Sequence, residues 1–184
     1  IHSNGTTGQT EATKLGLELI KQYSDITPHI HDLTEALNGY LNVSDEKPES
    51  WATGQLASIV RTPYLYYQAS LLQQRGLNSI VVGTTNRDEG AYIGFYGKAS
   101  DAMVDLQPIG DIHKSEVYQV AEELGVPNEI TLRPPTGDTF DGSKDEDTIG
   151  APYWVVESML IIMDYLESAE SIDVVNILSN NLFS

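Results

Sequence analysis

An α/β fold with a parallel sheet is predicted by three features of the sequence. Helical periodicity alternates with one short apolar run. That run ends in Gly-Thr. A further helical pattern opens just beyond a Pro-Ile-Gly-Asp turn. The elements follow in order. Ile1 to Gln9 is polar and Gly-rich and reads as a loop. From Thr10 to Tyr23, Leu15 and Leu19 recur on one stripe with Ala12 beside it, a helical spacing. Ile26 to Ile30 reads as a short extended piece around Pro28, because the residue before a proline avoids the helical region. His31 to Leu41 is helical again, with Leu33, Ala36, Leu37 and Leu41 on one face. Asn42 to Ser50 is a charged, Pro-containing loop. A long helical pattern runs from Thr53 to Arg75, and Pro63 predicts a kink or boundary just before it. Gly76 is placed to end that helix. Ser79 to Val82 reads as a buried strand of the parallel kind. Ser115 to Leu124 is a helix closed by Gly125, with Pro127 beyond. Glu129 to Leu132 reads as a short strand and Arg133 to Gly150 as a long loop. Tyr153 to Leu166 reads as a helix, and Ile172 to Leu178 as another. A length of 184 residues suggests a single domain, or most of one.

Composition excludes several classes of function. The formal charge of −17 argues against a nucleic-acid partner, because phosphate backbones demand a basic face. The charge is uneven. From Arg61 to Lys114, five basic residues balance five acidic ones, so an anionic small molecule is best received in the middle of the chain. No cysteine is present, which removes disulfides, thiol nucleophiles and thiolate metal sites and fits a reducing, cytoplasmic setting. No apolar run approaches the ~20 residues needed to cross a bilayer, so no membrane partner is expected. The N-terminus carries no basic-then-apolar leader, and it begins with Ile, which suggests a trimmed or partial chain.

Three places carry chemistry. In Gly83-Thr84-Thr85-Asn86-Arg87-Asp88-Glu89, a buried strand gives way to small hydroxyl residues and then to charged ones. Ligands of open α/β sheets bind just beyond the carboxyl ends of strands. Glycine admits a ligand to the backbone, hydroxyls bond phosphate or ribose, and Glu89 suits a hard cation. The plain alternative is an ordinary strand-to-helix turn. The second place is Lys98 to Asp105, where Asp101 and Asp105 stand four apart and can accept hydrogen bonds, take a proton or hold a cation. In the third, Pro108 to Lys114 precedes a helix. A lysine there conflicts with the helix dipole unless it and the free N–H groups hold one phosphate. His29 and His31 lack a third ligand and read as surface or packing residues. Tyr64, Tyr66 and Tyr67 sit on a helical pattern and read as core or interface.

These places occur together, in this order, in ammonia-dependent NAD synthetases. Residues 79–89 resemble that family's strand ending in Gly-Thr, with a Glu five residues after the Thr. Gly94 to Asp105, Gln107 to Val117, Arg133 to Asp138 and Asp145 to Gly150 resemble its later blocks, and Gly54-Gln55 with Arg61 to Ala69 its upstream helix. The resemblance implies a doubly wound parallel sheet with helices on both faces, of the adenine nucleotide alpha hydrolase type. It implies two half-reactions: ATP adenylates the nicotinate carboxylate of deamido-NAD and releases pyrophosphate, then ammonia displaces AMP. By position, Glu89 resembles a magnesium ligand, and Thr84 and Arg61 resemble ATP contacts. Lys114 and Thr136 resemble ligands of the displaced phosphate. Asp101 resembles the acid that handles the nicotinate end or the ammonia, with Lys98 and Asp105 close by. A homodimer built on the helix through Arg61 to Leu72 is also implied.

The sequence departs from the family in places. No Ser-Gly-Gly-x-Asp-Ser occurs, although in the family that loop cradles pyrophosphate and shares the magnesium with the position of Glu89. The first βαβ is expected to be missing. Ile59 stands where an arginine is expected, Ala99-Ser100 replaces Tyr-Gly, and Gly137 replaces Ala. Two rival readings are a GMP synthetase domain and a non-catalytic nucleotide-binding or dimerisation module.

Overall fold

A computed structural model describes residues 7–46, 49–93, 96–136 and 144–168. Its helices are α1 (Thr7–Ile20), α2 (Thr34–Leu41), α3 (Ser50–Ile59), α4 (Arg61–Gln74), α5 (Lys114–Glu123), α6 (Asn128–Thr131), α7 (Asp145–Ile149) and α8 (Tyr153–Ser168), with a π-helical turn at Glu89–Ile93. The first helix starts at Thr7, inside the segment expected to be loop, and ends at Ile20. Helix α2 begins at Thr34 and not at His31. The Asp32 carboxylate accepts the Thr34 N–H at 2.9 Å and its hydroxyl at 2.6 Å, which holds the chain in a turn first. The boundary expected before Pro63 is present: α3 ends at Ile59 and α4 starts at Arg61. Pro63 then sits in the first turn of α4, where its missing N–H has no helical partner to lose. Gly76 and Gly125 follow α4 and α5 with φ of 82° and 68°. Leu77 donates to the Leu72 carbonyl and Val126 to the Ala121 carbonyl, so both helices close in the same left-handed manner.

Several expectations change. Glu129 to Leu132 is not a strand, since α6 covers Asn128–Thr131. Pro127 fixes the backbone ahead of it, and its carbonyl receives the Ile130 N–H at 2.9 Å, so a local turn overrides the β-preference of Ile130 and Thr131. The loop from Arg133 to Gly150 contains α7, and its middle lies outside the described residues, as does the helix expected at Ile172 to Leu178. Of the expected sheet, the bridges with both partners described are Val82 with Leu106 in parallel and Thr136 with Lys144 in antiparallel. The strand is accordingly not buried on both faces. Val81 is 7% exposed, whereas Ile80 and Val82 are 62% and 50% exposed, the period of two for a strand covered on one side.

Among the described residues, the buried apolar side chains are Leu33, Leu37, Ala57, Val60, Val81, Tyr153, Val156 and Leu160. Helix α3 packs on α2 and α4, and α8 packs on α5. The Arg87–Asp164 ion pair and the bond from the Ser115 hydroxyl to Glu157 at 2.6 Å tie α8 to the segments that form the site. No described helix is long and apolar enough to cross a membrane.

Candidate active site

The parallel bridge fixes the strand end. Gly83 donates to the Leu106 carbonyl at 2.8 Å, and Asp105 donates to the Val81 carbonyl at 2.9 Å. The Asp105 carboxylate also accepts the Val81 N–H at 2.7 Å and the Tyr66 hydroxyl at 3.3 Å. Asp105 thus fastens the strand to its neighbour and to α4. A side chain at Gly83 would collide with the Gln107 carboxamide, whose nitrogen donates to the Asp101 carbonyl at 2.8 Å.

Beyond the strand, Asn86 and Glu89 cap each other. The Asn86 N–H donates to Glu89 Oε2 at 3.2 Å, and the Glu89 N–H donates to Asn86 Oδ1 at 3.1 Å. This reciprocal arrangement starts a helical turn and fixes the Glu89 side chain. Its other oxygen, Oε1, accepts the Lys114 ammonium at 2.9 Å. The Tyr153 ring lies under that ammonium, 4.9 Å from its centroid, a cation–π distance. The Tyr153 hydroxyl donates to Asp145 at 3.0 Å. Asp145 is brought in by the Thr136–Lys144 bridge and by its own N–H on the Pro135 carbonyl at 3.1 Å, which set Pro135 and Thr136 beside Lys144 and Asp145.

Thr84, Thr85, Glu89, Asp101, Thr136, Asp145 and Tyr153 line one cavity of about 190 Å³. This is below the ~300 Å³ at which whole small-molecule pockets begin, so it suits a phosphate-sized group. Its donors are hydroxyls and carboxylates, hard oxygen ligands of the kind magnesium takes. Glu89, Asp101 and Asp145 make it acidic, and Lys114 is the cation bonded to one of its walls.

Of the residues singled out in the sequence, Thr84, Glu89, Asp101 and Thr136 meet here, and Lys114 reaches it through Glu89. Arg61, the half-buried first residue of α4, and Lys98, exposed in a turn, are not among the lining residues. Asp105 serves the strand instead of the cavity wall. Sequence reasoning missed Thr85, Asp145 and Tyr153 as wall residues and the buried pair Asp88 and His113. Asp145 opens a block already matched to the family, and that was the available signal.

Burial, first, and then the negative charges of Asp145 and Glu89 raise the Tyr153 hydroxyl well above the ordinary tyrosine value of about 10. The fold thus favours the neutral phenol. Its contribution to stability is intact below about pH 10 and is lost as pH climbs from there toward the folded value. The melting midpoint of the native chain is expected to fall above about pH 10, and that of Tyr153→Phe to fall less steeply. Parallel slopes in the two proteins would contradict the assignment.

The cavity thus presents hydroxyl and carboxylate oxygens beside one ammonium, where the segment through Val82 bridges Leu106 in parallel. The chain belongs to the NAD synthase family, whose model matches residues 4–182. It is 36% identical over 134 residues to an NH(3)-dependent NAD(+) synthetase of Thermoplasma volcanium, covering 73% of this chain and 51% of that one. It is 32% identical over 161 residues to that of Methanocaldococcus jannaschii, covering 88% of this chain and 58% of the relative. The chain therefore spans about half the length of the curated relatives it matches. Among solved structures, an NMN synthetase from Francisella tularensis matches with a TM-score of 0.73 at 28% identity, covering 83% of this chain and 61% of that chain. An NH3-dependent NAD synthetase from Campylobacter jejuni, in complex with the nitrate ion, shares the fold with a TM-score of 0.61 at 20% identity, covering 96% of this chain and 67% of that chain. Family membership sets aside the GMP synthetase reading.

Proposed function

We propose that the chain serves ammonia-dependent synthesis of NAD from deamido-NAD, within a single cytoplasmic domain built on a doubly wound parallel sheet. In the first half-reaction a nicotinate carboxylate oxygen attacks the α-phosphorus of ATP, and the bond to pyrophosphate breaks. In the second, ammonia adds to the acyl carbon, AMP leaves and a proton is lost. The observation that carries this reading is that Thr84, Glu89, Asp101 and Thr136, from three separate sequence blocks, line one cavity.

The chain's residues divide the work. The Thr84, Thr85 and Thr136 hydroxyls bind phosphate oxygens. The Lys114 ammonium, shielded by Tyr153, offsets charge gathering on the phosphate that departs. Asp101, on the cavity wall, is the acid proposed to handle the nicotinate end or the incoming ammonia. Asp105 holds the strand, and Arg61 and Lys98 act as outer contacts of ATP. Three carboxylates would repel a bare polyphosphate, so the nucleotide enters with magnesium. Glu89 and Asp145 would hold the ion, and it supplies charge neutralisation on the phosphates.

The test joins the chain to a segment carrying the family's Ser-Gly-Gly-x-Asp-Ser loop, incubates it with ATP, magnesium chloride and ammonium, adding deamido-NAD or nicotinate mononucleotide, and measures pyrophosphate and pyridine products. NAD with equimolar pyrophosphate is expected. Absence of pyrophosphate with both acids overturns the reading in favour of a non-catalytic module. The likeness to the Francisella NMN synthetase supports a second reading, amidation of the mononucleotide, which the formation of NMN would establish.

A homodimer through α4 accompanies the proposal. Leu65, Tyr67 and Leu72 are exposed on α4, the amphipathic mix enriched at interfaces. Sedimentation equilibrium at physiological salt is expected to give twice the chain mass of 20.2 kDa. A monomer at tens of micromolar would refute the dimer.

A further inference from the structure

We infer that Asp88 is a positioning residue that aims the Lys114 ammonium at Glu89 before any ligand arrives. The use of that ammonium rests on the proposed function, whereas its placement rests on geometry alone. Asp88 is fully buried, at 0% exposure, a rare location for a carboxylate unless it is paired. Both of its oxygens are engaged. Oδ2 accepts the Lys114 backbone N–H at 2.7 Å. Oδ1 lies 2.7 Å from His113 Nδ1, which donates to it as the N–H tautomer. The carboxylate thus meets an unsatisfied donor in the first turn of α5, at the end where the helix dipole favours negative charge.

The consequence concerns the lysine. Asp88 holds Lys114 by its backbone, and Glu89, the next residue, holds it by its ammonium at 2.9 Å. A lysine side chain normally samples many rotamers. Fixed at both ends and laid over Tyr153, this one is organised in advance, which is how a charge aimed at a transition state is most effective. The same turn is braced twice more. Glu116 accepts the His113 N–H at 2.7 Å, and Glu157 accepts the Ser115 hydroxyl at 2.6 Å. Ligand-type atoms of Asp88, His113 and Glu157 lie within 4.8 Å of one another. Asp88 and His113 bond to each other and Glu157 accepts the Ser115 hydroxyl, so the trio forms a hydrogen-bonded brace around the start of α5.

Competitive acetylation of the native chain, read by mass spectrometry, tests the placement without requiring turnover. Lys14, exposed on α1, is the internal reference. Lys114 is expected to react about tenfold more slowly than Lys14, because its amine is held in a charge-assisted bond. In Asp88→Ala the gap is expected to shrink to about threefold or less. In Asp88→Asn it persists, since the amide oxygen still accepts the Lys114 N–H. Labelling is done well below each variant's melting midpoint, so a merely structural loss leaves the ratio unchanged. If Asp88→Ala does not fold, Asp88→Ser takes its place. Loss of the gap in both variants, or in neither, overturns the inference. In turnover, Asp88→Ala is expected to lower kcat about tenfold with KM for ATP within about twofold, and equal effects on kcat and KM would also overturn it. A wild-type chain that is inert toward both nicotinate substrates defeats the proposed function and leaves the labelling result to decide Asp88.

Discussion

Glu89→Gln is expected to slow pyrophosphate release by about a hundredfold or more at saturating ATP and magnesium, with nucleotide binding reduced far less. The substitution is nearly isosteric. A glutamine oxygen can still accept the Asn86 N–H, so the turn that carries the residue survives. The negative charge that faces both Lys114 and the cavity is removed. A charge that neutralises or orders a metal–phosphate assembly matters most where phosphate charge is being redistributed, so the loss belongs in the rate and not in the affinity. Single-turnover measurement of pyrophosphate, beside equilibrium binding of ATP, separates the two. An unchanged single-turnover rate would remove Glu89 from the machinery.

Leu37→Ala is expected to cost roughly 2–5 kcal/mol of stability. Leu37 is 1% exposed and stands among the largest fully buried side chains, on α2, a helix that packs against α3. Few apolar side chains among the described residues are so well covered. For a chain of this size the melting midpoint is expected to drop by roughly 5–15 °C. A change below about 2 °C would place α2 outside the cooperative unit.

Much of the helical framework was legible because its signals are local. Pro63 marked a break, and Gly76 and Gly125 marked helix ends where the backbone needs a left-handed residue. The sheet was not, because a strand's surroundings are set by distant segments. Ser79 to Val82 has the composition of a strand buried on both faces, yet Leu106 is its only bridge partner among the described residues, and Ile80 and Val82 stay exposed. Ile130 and Thr131 have strand-like composition, but the proline ahead of them and four local residues decided for a helical turn.

The site divides in the same way. The order of blocks along the chain was enough to group Thr84, Glu89, Asp101 and Thr136. Asp88 gave no sign of its burial, because the group that completes it, His113, is 25 residues away. Asp105 looked like a ligand by its spacing from Asp101, and the fold uses it to hold the strand. Tyr153 read as the first apolar residue of a helix. Its ring faces a lysine and its hydroxyl faces an aspartate, and neither follows from periodicity.

The contact between Gly83 and Gln107 bears on how wide the cavity can be. Gln107 fills the space a side chain at 83 would need, and through its amide it holds the backbone of Asp101. The strand end with Thr84 and the turn with Asp101 are thereby spaced by one carboxamide in direct contact with a bare backbone. An added methyl group would have to displace the carboxamide and release the Asp101 carbonyl. The spacing of Thr84 and Asp101, which both line the cavity, thus depends on position 83 staying bare.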